Sequence, residues 1–193
     1  MIHKNYSLVM IHEEAYNLLK DKVQNQNLIK HCIAAEACMR ALAEFFDEDK
    51  EKWGITGLLH DIDYEGTKND PVKHSIVGAE ILEKLGIDKE IVEAVKTHNE
   101  IHEIVPQSKM AKAIYCVDPL TGLIVASTLV LPSKKIVDLT VENVLNRFKE
   151  KGFAKGANRE IIAKCHILLD LPLENFVKIC LEAMKKISNE LEL

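Results

Sequence analysis

Histidine and aspartate side chains recur along this chain in an order that suits the binding of a metal ion. Imidazole nitrogen and carboxylate oxygen are ligands that divalent transition metals accept in proteins. We therefore predict a site for one or two divalent ions, drawn from Mn, Fe, Co, Ni and Zn, with Mg as a further candidate. The predicted ligands are His31, His60, Asp61, His74, His98 and Asp118.

The sequence around these residues favours buried positions at or beside helices. Two leucines precede the His60-Asp61 pair, so the pair stands where an apolar helix ends. Asp118 lies within a strongly apolar stretch, and a buried carboxylate needs a partner or a metal. For His74 and His98 the alternative is helix capping beside a site for one metal. The ordered set of six residues therefore predicts a metal site, which no single member of the set would predict alone.

Helices must position these side chains, because apolar residues recur with helical spacing along most of the chain. No alternating pattern indicates a β-strand, so we predict an all-α bundle with additional C-terminal helices. We expect a single domain over residues 1–193, with its core at about 20–131 and a C-terminal helical extension at about 132–193. The expected helices lie at about 11–24, 28–46, 50–61, 71–85, 88–98, 139–151, 159–169 and 172–193, with one more from 108 onward.

Short polar signals mark where several of these helices start and stop. Asn27 and Asp88 can accept hydrogen bonds from the free N–H groups of a first turn, so each is an expected N-cap. Pro71 suits the first turn of a helix, where its missing N–H is not needed. Gly86 suits the residue after a helix, because glycine adopts the left-handed conformation at little cost.

One stretch, residues 113–131, is nearly long and apolar enough to span a bilayer. Asp118, Pro119 and Gly122 lie at its centre, and a charged side chain in mid-membrane is costly. We therefore predict a buried helix rather than a membrane span. Residues before proline avoid helical geometry, so this helix either kinks at Asp118 or begins at Pro119.

The composition indicates a globular protein. Hydrophobic residues make up 47% of the chain and aromatic residues 5%, so aliphatic residues and alanine must supply most of the core. The formal charge of −5 and the pI of about 5.9 imply no broad basic surface, which argues against nucleic acid as a partner. Five cysteines form no CxxC pair, and the first residues of the sequence do not predict a signal peptide. We therefore expect buried, reduced thiols in a cytoplasmic protein that does not contact a membrane.

The order of the predicted ligands resembles the HD superfamily of metal-dependent phosphohydrolases. The family's pattern is a lone histidine, a His-Asp doublet and a distal aspartate, which His31, His60-Asp61 and Asp118 match. The likeness covers roughly residues 28–131, and the stretches LLHDIDYE and DPLTGLIVA resemble a group of predicted HD hydrolases. The fold that the resemblance implies is the helical bundle of an HD domain.

Two further histidines mark a branch of this family that binds two metals. His74 within KHSIVGAEIL and His98 within KTHNEIH resemble them, and the resemblance implies that Asp61 bridges the two ions. The branch includes the HD-GYP cyclic-dinucleotide phosphodiesterases and HD hydrolases that cleave diadenosine tetraphosphate. Here NEIHEI follows His98 in place of the GYP segment, and Pro-Leu-Thr-Gly follows Asp118 where the second group tends to carry an arginine.

The activity that the resemblance implies is hydrolysis of a nucleotide or another small phosphate ester by a metal-activated water. Asp61 would act in catalysis as the metal bridge, and Asp63, close after the doublet, is a candidate proton donor to the leaving group. A second copy of the chain, in a homodimer, stays open as a partner. Candidate substrate contacts, each with an exposed surface residue as the alternative, are Lys73, Lys68, His102 and Arg159.

Two other functions are compatible with the same resemblance. Some HD-fold proteins with ligands at these six positions are di-iron oxygenases, which use O₂ to cleave C–C or C–P bonds. Others are non-catalytic signalling modules with a degraded site, and the intact ligand set argues against that alternative here. Metal analysis and an assay of O₂ uptake would separate the three functions.

Overall fold

The computed structural model describes residues 10–193. Helices make up 69% of the structure and no β-strand occurs among the described residues, which confirms the all-α prediction. Short 3-10 helices lie at Glu100–His102 and Ile136–Asp138. The α-helices are α1 (His12–Lys22), α2 (Gln26–Phe46), α3 (Lys50–Leu59), α4 (Tyr64–Thr67), α5 (Ile76–Lys84), α6 (Lys89–Thr97), α7 (Lys109–Leu129), α8 (Val141–Lys149), α9 (Arg159–Ala163), α10 (Cys165–Leu168), α11 (Leu173–Lys186) and α12 (Ser188–Leu191).

The two longest helices, α2 and α7, contact each other at the centre of the bundle. α2 also packs against α3 and α11, whereas α7 packs against α6, α8 and α9. Small side chains such as Ala34, Ala35 and Cys38 form much of the buried face of α2, which lets neighbouring helices approach closely. All five cysteines of the chain are buried and free, as predicted.

A glycine in α3 permits a very close approach to α2. A Cβ atom at Gly57 would lie 2.7 Å from the carbonyl oxygen of Ala35 and 2.7 Å from the amide nitrogen of Glu36, both of which are backbone atoms. Backbone atoms cannot rotate out of the way as a side chain can, so only glycine fits here. Gly57 thereby sets the distance between the two helices one turn before His60.

α7 is the helix of the described residues that is long and apolar enough to cross a membrane. In the structure 67% of the most apolar 18-residue stretch of this helix is buried inside the bundle, as in a core helix. The helix runs without a break from Lys109 to Leu129 and contains Pro119, so the alternative of a helix that begins at Pro119 is wrong. Asp118 lies in the middle of this buried helix.

The helix predicted from Pro71 begins only after Ser75. Ser75 has a φ of 70°, a value that residues other than glycine rarely adopt. Its hydroxyl donates a hydrogen bond to the carbonyl of Lys96 at 3.0 Å. The stretch from Pro71 to Ser75 is thus a turn, and His74 lies in this turn rather than inside a helix.

Other helix ends agree with the sequence to within a few residues. The side chain of Asp88 accepts from the N–H of Glu90 at 2.8 Å, and Gly86 has a φ of 74° just after α5, as predicted. The N-cap of α2 is Asn25 rather than Asn27, because the Asn25 side chain accepts from the N–H of Asn27 at 2.9 Å. Both asparagines suit this role by type, and only the fold distinguishes them.

The C-terminal helices pack against both long helices of the bundle. α11 lies against α2 and α8, and the pair α9 and α10 lies against α7. The single helix predicted over residues 159–169 is divided at Lys164 into these two short helices. The connection from α8 to α9, residues 150–158, passes over the end of the bundle where the predicted ligands meet.

Candidate metal centre

The six predicted ligands converge although they are far apart in sequence. Their ligand atoms form three overlapping groups, and within each group all of these atoms lie within 4.8 Å of one another. The structure thus brings together every residue that the sequence predicted as a metal ligand. The groups are His31, His60 and Asp61; His60, His98 and Asp118; and Asp61, His74 and His98.

Helix ends and turns supply most of these side chains. Adjacent residues inside a helix point in different directions, but beyond a helix end both members of a pair can face one site. This explains how His60 and Asp61 contribute together. His31 and Asp118 lie within α2 and α7, His60 and His98 directly follow α3 and α6, and Asp61 and His74 lie in turns.

The carboxylate of Asp61 lies between two sets of imidazoles. Its Oδ1 is 3.3 Å from Nε2 of His74 and 3.4 Å from Nε2 of His98. Its Oδ2 is 3.5 Å from Nε2 of His31 on the other side. Because the two oxygens face different nitrogen atoms, this carboxylate can offer a ligand atom to either side of the centre.

Asp118 completes the half of the centre around His31 and His60. Its Oδ1 lies 3.1 Å from Nε2 of His31 and 3.7 Å from Nε2 of His60. The side chain of Asp118 is 32% exposed, whereas that of His60 is fully buried. Asp118 therefore stands at the border between the buried ligands and solvent.

Backbone carbonyls hold the rings of His60 and His98. Nδ1 of His60 lies 2.8 Å from the carbonyl oxygen of Gly57, and Nδ1 of His98 lies 2.7 Å from that of Val95. A carbonyl only accepts hydrogen bonds, so each Nδ1 carries the proton and donates it. Both Nε2 atoms consequently face the centre as potential ligands.

The hydroxyl of Thr121 orients His31, a role that the sequence analysis missed. It donates to the carbonyl of Asp118 at 2.8 Å and lies 3.0 Å from Nδ1 of His31. Since its one proton goes to the carbonyl, the hydroxyl accepts from Nδ1 and leaves Nε2 of His31 for the centre. The available signal was the position of Thr121 one turn after Asp118 on the same helix.

The carboxylate of Asp63 holds His74 and lies away from solvent. Its Oδ1 accepts from Nδ1 of His74 at 3.1 Å, and its Oδ2 accepts from the amide N–H of Gly78 at 3.0 Å. The side chain is fully buried, and it does not line the cavities that open on the ligands. This position suits the orientation of His74 more than the predicted donation of a proton to a substrate.

The chemistry of this donor set fits a divalent transition metal. Nε2 of His31 and Nε2 of His60 lie 3.1 Å apart, and those of His74 and His98 lie 3.2 Å apart. Lone pairs that converge at such distances repel each other unless a proton or a cation lies near them. The two carboxylates add negative charge, and a set rich in imidazole favours transition metals over Mg or Ca.

Without a metal, the acidic and basic groups stabilise each other's charged forms. Burial opposes the charged form of His60, yet Asp61 and Asp118 raise its pKa to about 9. Burial also opposes the charged form of His74, whose hydrogen bonds to Asp61 and Asp63 raise its pKa to about 10. Burial alone would raise the pKa of Asp61, but the neighbouring imidazoles hold it well below its usual range. The metal-free centre therefore holds protons where a cation would lie.

We expect metal binding at pH 7 to release about two protons, because protonated His60 and His74 must lose a proton each to become ligands. Since both imidazoles have a pKa of about 9 or above, the affinity for metal should rise as the pH is raised from 6 toward 9. Isothermal titration of Zn²⁺ in two buffers with different ionisation enthalpies measures the number of protons. Binding without proton release, or with an affinity that does not depend on pH, would contradict this prediction.

Three cavities reach the ligands from solvent, and two of them are also lined by the carboxylates of the centre. One, of about 340 Å³, is lined by His31, His98 and Asp118 together with residues 154–158. The other, of about 440 Å³, is lined by Asp61, His74 and Gly156 among others. The connection from α8 to α9 thus forms part of the wall through which a small molecule reaches the centre.

The two lysines predicted as substrate contacts line neither cavity. The ammonium of Lys73 is exposed and pairs with the carboxylate of Asp70 at 2.8 Å. Lys68 is exposed as well. Both residues lie between α4 and α5. Their placement agrees with the alternative of a surface charge.

His102 and Arg159, the other predicted substrate contacts, bind backbone carbonyls. Nε2 of His102 donates to the carbonyl of His74 at 2.8 Å and so supports the turn that carries this ligand. The guanidinium of Arg159 donates to the carbonyls of Phe153, Ala154 and Ala157. Neither side chain lines a cavity that opens on the ligands. Arg159 instead shapes the connection that does.

Comparison with known proteins agrees with this geometry. The profile of the HD domain family matches residues 28–122. Ribonuclease Y of Lawsonia intracellularis is 30% identical over 139 residues, which are 70% of this chain and 26% of that protein. Ribonuclease Y of Oleidesulfovibrio alaskensis is 28% identical over 142 residues, or 71% of this chain and 27% of that protein. An uncharacterized protein of Methanocaldococcus jannaschii is 33% identical over 91 residues, or 45% of this chain and 52% of that one.

No solved structure gives a significant match. The chain spans about a quarter of the length of the ribonuclease Y sequences that it matches, and about half of the archaeal relative. The matched residues 28–122 contain all six converging side chains, from His31 to Asp118. With its helical bundle and its His-Asp centre, the chain is a member of the HD-domain family, whose superfamily is that of the metal-dependent phosphohydrolases.

Proposed function

We propose that this chain hydrolyses a nucleotide or another small phosphate ester at a centre of divalent metal held by the six converging residues. The position of Asp61 carries the proposal, because its two oxygens face different imidazoles and can serve two ions. A metal bound there supplies Lewis acidity, which activates a water molecule and offsets negative charge on the phosphoryl oxygens.

The chain's own residues fix the donor atoms before a substrate arrives. The side chains of His60 and His98 are almost fully buried, and backbone carbonyls hold both rings. Such preorganisation avoids the cost of rearranging ligands during the reaction. We propose that Asp63 acts as a positioning residue through His74, which replaces the proton-donor role that the sequence suggested.

Asp63→Asn tests this positioning role. The amide keeps the shape of the carboxylate but loses its charge, so the hold on the His74 ring weakens. We expect metal affinity, or activity at limiting metal, to fall about 10- to 100-fold. Competition with a chelator measures the affinity, and Asp70→Asn in the exposed segment nearby serves as the control. If saturating metal does not restore most of the activity, the role is more than positioning.

The relatives named ribonuclease Y favour an RNA phosphodiester as a second candidate substrate. Their similarity covers 70% of this chain or more. The net charge of −5 argues against a long nucleic acid, because affinity for such a partner comes mainly from basic contacts to phosphates. A short oligonucleotide would need contacts only in and around the two cavities.

Elemental analysis of the native protein, followed by a substrate screen, tests the proposal. The screen includes nucleoside monophosphates, dinucleotides, bis(p-nitrophenyl) phosphate and a short RNA, each with Mn, Co, Ni or Zn added. Turnover that depends on metal supports phosphohydrolysis, and the preferred substrate decides between the two candidates. Tightly bound iron, together with O₂ uptake and no turnover of phosphate esters, would favour a di-iron oxygenase. A protein that binds no metal would favour a signalling module.

A further inference from the structure

We propose that Lys155 binds the phosphate group of the substrate from the connection between α8 and α9. This inference rests on the proposed phosphohydrolysis and adds the residue that recognises the substrate's anion. Lys155 lines the same cavity as His31, His98 and Asp118. The C-terminal part of the chain would thereby complete a site whose metal ligands all lie in the preceding part.

Charge singles out Lys155 among the residues around the centre. Within the described chain, no other lysine or arginine lines either of the two cavities that reach the carboxylates of the centre. Lys30 lines a third cavity, which touches His31, but its ammonium is paired with Glu192. The first two cavities also contain the carboxylates of Asp61, Asp118 and Glu100. A phosphate ester that enters needs a positive group on the side away from the metals, because its outer oxygens also carry negative charge.

The ammonium of Lys155 is available for such a contact. No carboxylate of residues 10–193 forms an ion pair with it. By contrast, Lys73 is paired with Asp70, and Lys30 is paired with Glu192 at 2.5 Å. An unpaired lysine at the wall of an acidic cavity is a natural partner for an anionic ligand.

Arg159 gives the connection around Lys155 a fixed shape. Its guanidinium donates to the carbonyls of Phe153 and Ala154, before Lys155, and to that of Ala157, after it. Ala154 has a φ of 43°, which a residue other than glycine adopts only when its surroundings demand it. The backbone at Lys155 is therefore held from both sides, which limits the positions that the ammonium can reach.

A second contact fixes this connection to the ligand side of the cavity. Nδ2 of Asn158 donates to Oε1 of Glu100 at 3.2 Å, and Glu100 follows the ligand His98 by two residues. Gly156, next to Lys155, lines both cavities. The connection thus spans the entrance, and Lys155 is its cation on the wall of the cavity that contains the ligands.

Binding of inorganic phosphate to the metal-loaded protein tests this inference without knowledge of the natural substrate. Isothermal titration compares the wild type with Lys155→Gln, with Lys155→Arg and with the control Lys151→Gln, an exposed lysine of the same connection that lines neither cavity. We expect Lys155→Gln to weaken phosphate binding about tenfold or more, with unchanged metal content, because a charge-assisted hydrogen bond is lost. Lys155→Arg should retain most of the affinity, and Lys151→Gln should equal the wild type.

The outcomes separate this inference from the proposed function. If the wild type binds phosphate and Lys155→Gln binds it equally well, the role of Lys155 is refuted and the proposed function stands. If the metal-loaded wild type neither binds phosphate nor hydrolyses any ester of the screen, both are refuted. Where turnover is found, Lys155→Gln should raise KM about tenfold while kcat changes much less, since the contact is already present in the bound substrate.

Discussion

Replacement of Asp61 by alanine should abolish metal binding and phosphate ester hydrolysis together. The carboxylate contacts imidazoles on both sides of the centre, so its loss removes a ligand from each half. We expect kcat/KM to fall by more than about a thousandfold, because the Lewis acid is lost along with its ligand. Elemental analysis after gel filtration, and turnover with added Mn or Zn, measure the two effects on the same sample.

The fold should survive this change, which makes the test specific. Asp61 is one of the groups that raise the pKa of His60, so its removal lowers that pKa and lets the buried imidazole become neutral. Circular dichroism should therefore match the wild type, and Asp21→Ala, at an exposed position of α1, controls for a change of charge. Turnover that persists in Asp61→Ala would refute the proposed mechanism.

Gly57→Ala should lower the stability of the protein more than alanine does at the other glycines. Gly86 is left out of this comparison, because its positive φ strains any other residue. The new Cβ would lie 2.7 Å from backbone atoms of Ala35 and Glu36, so α3 must move away from α2. We expect the free energy of unfolding to fall by about 2–4 kcal/mol, as in other overpacked cores. Urea unfolding monitored by circular dichroism measures the change.

The same substitution should also disturb the metal centre. The carbonyl of Gly57 holds Nδ1 of His60, so a shift of α3 moves this ligand. Gly66→Ala is the matched control, because a Cβ at Gly66 meets no atom within 4 Å and should change stability by less than about 1 kcal/mol. Equal unfolding curves for Gly57→Ala and the wild type would show that the two helices can separate without cost.

The metal ligands could be predicted from the sequence because their types, their order and their apolar surroundings are all local properties. The partners that orient them could not. Asp61 and Asp63 both contact the imidazole of His74, yet Asp61 faces the centre whereas Asp63 lies on the far side of the ring. That difference depends on the direction of the turn after α3, and the amide of Gly78 holds the Asp63 carboxylate in its place by a hydrogen bond.

The turn that carries His74 escaped prediction for a related reason. Apolar residues continue with helical spacing from Val72 onward, so the periodicity predicts a helix through His74. The positive φ of Ser75 breaks this helix, and the hydrogen bond from its hydroxyl to the carbonyl of Lys96 supports the break. A contact between residues so distant in sequence leaves no local signal.

Residue type alone could likewise not select the cation that lines the cavity. Arg159 is one of the four candidate substrate contacts in the sequence, but its guanidinium is occupied by three carbonyls of the preceding connection. Lys155, four residues earlier, lines the cavity instead. Residue types indicate that a positively charged side chain is near the cavity, whereas the path of the backbone decides which of these side chains lines it.

The carbonyls that hold His60 and His98 belong to the last turns of α3 and α6, so both helices direct their negative dipole ends toward the centre. Two carboxylates add to this field. The protons on His60 and His74 offset part of this negative field in the metal-free protein. A divalent cation that displaces them adds positive charge, so we expect a phosphate ester to bind more tightly after the metal than before it. The fold thus favours an order of assembly in which the metal binds first and the anion second.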